Sequence, residues 1–158
     1  MRRVVFLHLS FLVSFFILIS LFNSWLSLSY WPFWLGGLIG SIIPELDSLI
    51  YVFFISPQEL TSQRVISFIK KGSFLSATRL LVETRLERNN LTFHSLAFIL
   101  VSFLLLFWLI TSSGSILAQG IIFAVLIHLL VNELIKRRYP VWYSLIGFGI
   151  LLVMGILA

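Results

Sequence analysis

Residues 33–55 read FWLGGLIGSIIPELDSLIYVFFI, and their assignment decides how the rest of the chain is threaded. The stretch is apolar enough to cross a bilayer, for which roughly 20 apolar residues suffice, yet Pro44, Glu45 and Asp47 interrupt its middle. Proline has no N–H to lose in the first turn of a helix, so the pattern predicts a span that breaks near Pro44 and restarts there. Glu45 and Asp47 then fall in the new first turn, where unbonded N–H groups and the helix dipole favour carboxyl groups. A broken helix at that depth is tolerated where it lines a protein-buried or wet cavity. Gly36 and Gly40, spaced as GxxxG, let a neighbouring helix approach, and ordinary packing in lipid is reason enough for them.

Working outward, four more apolar runs flank this one: 4–22, 93–111, 116–135 and 141–157. The first follows Met-Arg-Arg as a signal peptide would. It is longer than a usual signal core and no A-x-A-like site follows, so it reads as a retained span. Of the 158 residues, 59% are hydrophobic and 11% charged, with a mean hydropathy of +1.07. A soluble domain of this size needs no such apolar excess, because its exterior must meet water. The expected fold is therefore all-α: a polytopic membrane helix bundle of about five transmembrane helices, forming one integral domain over 1–158.

The net charge of +5 does not point to nucleic acid, because of where the charge lies. Arg2 and Arg3 precede the first run, Arg64, Lys70, Lys71, Arg79, Arg85 and Arg88 separate the second from the third, and Lys136, Arg137 and Arg138 follow the fourth. Five crossings put all of them on one side. By the positive-inside rule the N-terminus is cytoplasmic and the C-terminus outside, in a cytoplasmic (inner) membrane. Trp25, Trp31 and Trp34 then mark the outer boundary as an aromatic belt.

Segment 56–91 is too polar to cross. Val65, Ile66, Phe68 and Ile69, then Leu80, Leu81, Val82 and Leu86, recur at helical spacing among basic residues. Such helices lie in the interface, with Lys and Arg toward anionic headgroups. Lys71-Gly72 is expected to separate two of them. They serve as a surface-bound connector or as a lid gathering lipid.

Ionisable groups in hydrocarbon cost several kcal/mol unless partnered. His8, His94 and His128, every histidine in the chain, fall in predicted spans, as do Glu45, Asp47 and Glu133. Counted from the cytoplasmic end of each span at ~1.5 Å per residue, His8, Glu45, Asp47, His94, His128 and Asn132 share one layer. His128 and Asn132, four apart, occupy one helical face, and Glu133 is turned away, better suited to pair with the Lys136-Arg-Arg run. Imidazole with carboxylate suits Zn²⁺ or another divalent metal. With no cysteine, disulfides and thiolate sites are excluded. A continuous proton path is disfavoured, because the outer halves of the spans carry no ionisable group.

These motifs together resemble the YdjM-like (DUF457) family of inner-membrane, metal-dependent hydrolases. His8 in FLHLS matches its early Thr-His, and Gly40-Ser-Ile-Ile-Pro44-Glu45-Leu46-Asp47 matches its Leu-Pro-Asp-x-Asp. Asn89-Asn90-Leu-Thr-Phe-His94-Ser95 matches its His-Arg-Gly-x-Thr-His-Ser, and His128-Leu-Leu-Val-Asn132 its His-x-x-x-Asp. Asn89, Asn90 and Asn132 replace a His, an Arg and an Asp, so a two-metal version of the site would lack ligands. The resemblance implies a mononuclear site drawn from His8, Asp47, His94 and His128, with Asn132 as a further metal ligand, Glu45 as ligand or general base, and Glu45 and Asp47 as the catalytic carboxylates. The implied activity is hydrolysis of a lipid-like or phosphoester substrate at the cytoplasmic face. The alternative is a non-catalytic scaffold or a subunit of a larger membrane complex.

Overall fold

A computed structural model describes residues 2–84, 93–136 and 140–158, with the side chains of 2–5 and 113 excepted. Arg85, Arg88, Asn89, Asn90, Arg137 and Arg138, to which the topology and the motif comparison assign roles, lie outside the described residues. The described chain is all-helical. Its α-helices are α1 (Arg2–Phe22), α2 (Trp31–Ile50), α3 (Leu60–Lys70), α4 (Phe74–Glu83), α5 (Leu96–Trp108), α6 (Ile116–Lys136) and α7 (Val141–Leu157). A 3-10 turn, Leu28–Tyr30, leads into α2, and π turns, Tyr51–Ile55 and Leu109–Ser113, extend α2 and α5. Two helical stretches, Leu28–Ile55 and Ile116–Lys136, are long and apolar enough to cross a membrane; Phe6–Phe22, Leu96–Ser112 and Val141–Leu157 are shorter apolar helices.

One expectation fails at Pro44. The helix does not break there: α2 runs unbroken through the proline. Proline forfeits one backbone hydrogen bond and crowds the carbonyl four residues earlier, but the ladder on either side is cooperative and propagates past a single missing rung. The irregularity comes seven residues later instead, as the π turn at Tyr51–Ile55. Glu45 and Asp47 therefore do not sit in a helix first turn. Their backbone N–H groups belong to a helix interior, and no N-terminal dipole acts on their carboxyl groups.

Internal contacts divide the chain into two compact units, 1–44 with 96–158, and 45–95, a subdivision that hydropathy does not show. In the first, α6 is the central helix: every residue from Phe123 to Glu133 is buried, and α1, α5 and α7 pack on it. Such all-round burial is what a helix without a polar face requires. Gly36 and Gly40 of α2 meet α6 backbone to backbone, where a Cβ on Gly36 would lie 2.9 Å from Ile121 N and one on Gly40 2.9 Å from Ala124 Cβ. Gly120 of α6 answers from the other side against Phe33 O. The GxxxG spacing is thus a close helix crossing. Trp25 departs from its expected place in a belt. It is buried, stacked on Tyr30 and edge-on to Phe33, whereas Trp31 and Trp34 are exposed. Asn23 ends α1 by donating to Ile19 O at 3.2 Å and to Gly155 O of α7 at 2.6 Å.

In the second unit, α3 and α4 form a helical hairpin over a small core of Val52, Val65, Ala77 and Leu81. Lys71 caps α3, and Gly72 follows with φ +72°, a conformation that L side chains rarely adopt. The two helices expected on either side of Lys71-Gly72 are these.

Candidate functional site

Each unit carries one buried polar cluster built around histidine. In the first, α1 supplies His8, and α6 supplies His128 and Asn132 from a single face, as their four-residue spacing dictates. His8 Nε2–H donates to Asn132 Oδ1 at 3.0 Å. The rings of His8 and His128 lie 4.6 Å apart between centroids and are tilted by 44°. His128 and Asn132 are buried, while His8 is half-buried. The Asn132 carbonyl thereby fixes Nε2 of His8 as a donor.

In the second unit, Asp47 is fully buried and His94 is 5% exposed. Asp47 Oδ2 accepts the backbone N–H of Phe93 at 2.8 Å and His94 Nδ1–H at 3.1 Å. His94 stands in the turn just before α5, so the carboxyl of α2 locks both the backbone and the ring of that turn. A carboxylate-to-imidazole bond of this kind sets the tautomer of the ring. Tyr51, one turn beyond Asp47, donates to Glu59 Oε1 at 2.8 Å. Glu45 is exposed on α2, and Glu133 is buried on α6.

The two histidine partners share a logic. In each, a side-chain oxygen from another helix accepts one ring N–H and so fixes the tautomer. In His8 that oxygen belongs to an amide and in His94 to a carboxyl. The Asn at position 132 thus retains the acceptor that an Asp would offer. The contribution of the Phe93 N–H is a backbone donor that no residue type announces, and the Tyr51–Glu59 bond was not anticipated either; only the i, i+4 placement of Tyr51 relative to Asp47 hints that it faces the same way.

Imidazole and carboxyl donors fit a divalent metal of the zinc class in type. Among the described residues, no group of three or more His, Cys, Asp or Glu comes together as a preformed metal cage. The chain matches no protein-family model, no curated protein and no solved structure.

Proposed function

We propose that the chain is a five-span protein of the cytoplasmic membrane and a metal-dependent hydrolase, a divergent relative of the YdjM-like family it resembles. The membrane reading rests on what the helices present outward. α5 has no charged residue, and Leu100, Val101, Leu104 and Phe107 of it are exposed, Leu104 at 70%. α1, α2 and α7 likewise expose Phe6, Leu38, Ile42, Leu145 and Val153. A water-facing surface would carry a polar stripe on the outer side of such helices. The charge distribution then sets the N-terminus in the cytoplasm and the C-terminus outside.

The observation that carries the catalytic reading is the pair of oriented imidazoles, each with one nitrogen fixed by an oxygen from a different helix. His8 and His128 are the metal donors of the first unit, and Asn132 orients His8 through Oδ1. Asp47 orients His94, which serves as the acid–base side chain of the reaction. His8 and His128 would hold a divalent metal, zinc foremost, which when bound would supply Lewis-acid chemistry for hydrolysis. The substrate class that suits a bilayer-resident site is a lipid-like ester or phosphoester.

Metal quantification on detergent-purified protein tests this directly. Wild type should carry a divalent ion near one per chain, with loss in H8A and H128A. A wild-type chain with only trace metal would refute the hydrolase. One observation favours a second reading, a non-catalytic scaffold or complex subunit: Asn132 is neutral and spends its carbonyl on His8. In that case the histidine clusters are packing elements, and alanine at Asp47 or His94 leaves the cellular role intact while the fold persists.

A further inference from the structure

The tip of the α3–α4 hairpin belongs to neither histidine cluster and to no hydrophobic core. Residues 70–76, KKGSFLS, are exposed without interruption. Phe74 and Leu75 stand side by side at 65% and 86% exposure, just past the turn. Two adjacent large apolar side chains held clear of their own core call for an apolar phase outside it. Lys70 and Lys71 flank them. The cation of α4, Arg79, is already engaged by Glu83 at 2.9 Å.

Beside the tip, α3 carries a shallow groove of about 400 Å³ lined by Gln63, Ile66, Ser67, Lys70 and Lys71. Gln63, Ser67 and Lys70 recur at four and three residues, one face of the helix. An amide, a hydroxyl and two ammonium groups make that face a donor surface, and among the described residues no acidic side chain lines it. Its complement is a phosphate-bearing anion.

We propose that the α3–α4 tip docks on anionic phospholipid, with headgroup phosphate in the groove at Lys70 and Lys71 and the side chains of Phe74 and Leu75 in the acyl boundary. The apolar pair selects a lipid over a soluble phosphate, and the lysines select an anionic headgroup over a zwitterionic one. Gly72, at φ +72°, turns the chain sharply enough to put both on one tip. The inference rests on the membrane reading above but not on the hydrolase. It makes the α3–α4 hairpin a lipid-selective contact rather than a passive connector.

Native mass spectrometry of the full chain in a neutral detergent, with equimolar dioleoyl-phosphatidylglycerol and dioleoyl-phosphatidylcholine, measures the preference. A lysine near an anionic surface contributes roughly fivefold in affinity, so wild type should retain the glycerol lipid at least fivefold over the choline lipid. K70Q/K71Q should bring the ratio close to one. F74S/L75S should weaken retention of both lipids alike, and R79Q should change neither. A ratio unaltered in K70Q/K71Q overturns the proposal, as does displacement of the glycerol lipid by millimolar inorganic phosphate, which would mark a free-anion site. Extraction of the chain from membranes by alkaline carbonate refutes the membrane reading instead, so the two failures are distinct.

Discussion

Replacing Gly36 with alanine probes the packing on which the first unit is built. The new Cβ would meet Leu117 O, with Ile121 N at 2.9 Å and Gly120 C at 3.1 Å. All three are backbone atoms of α6, so no side chain can rotate away; α2 and α6 must part. Restoring ordinary contact requires about 1 Å of separation, and a gap of that size forfeits a quarter to a half of the dispersion between the facing atoms. Overpacking of this kind costs on the order of 1–3 kcal/mol, the upper end being expected where only backbone yields. G120A meets Phe33 O on the same seam and should cost a similar amount. One separation relieves both clashes, so the double variant should fall short of the sum of the singles, as coupled neighbours do. Gly149 provides the control. A Cβ there meets nothing within 4 Å, and removing a helical glycine without a clash should stabilise by roughly 0.5–1 kcal/mol. Thermal unfolding in detergent, followed by circular dichroism, reads all four variants. G36A melting with wild type, or G149A falling below it, would sink this account of the α2–α6 crossing.

Two further predictions concern the histidine clusters. D47A deprives both the Phe93 N–H and His94 Nδ1–H of their acceptor and should destabilise by roughly 2–3 kcal/mol, whereas D47N keeps an oxygen there and should recover most of it; equal melting of D47A and D47N would contradict the geometry. N132L removes the oxygen that accepts His8 Nε2–H and should cost roughly 1–2 kcal/mol, while N132D, which keeps the acceptor, should melt near wild type. If N132L retains full stability and metal content, Asn132 does not position His8.

Much of the architecture is legible in hydropathy. The apolar runs 4–22, 116–135 and 141–157 coincide with α1, α6 and α7 to within two residues at each end, because a long unbroken apolar run propagates as one helix. The turn at Lys71-Gly72 is equally plain, since only glycine takes its φ readily. Pro44 misleads for the opposite reason. Its local preference is to start a helix, but the glycine seam on one side and the ladder on the other hold α2 together through it. Trp25 misleads in the same way, its indole being claimed by Tyr30 and Phe33 rather than by an interface.

The polar residues divide along the same line. That His8, Asp47, His94, His128 and Asn132 stand out in an apolar chain follows from composition alone, and four-residue periodicity suffices to pair His128 with Asn132. Which nitrogen of each imidazole is held, and by what, was decided only by tertiary structure. His8 finds Asn132 across 124 residues of chain, and His94 finds Asp47 across 47. Hydrogen bonds depend on distances near 3 Å and on direction, and periodicity along one helix carries neither for a partner on another.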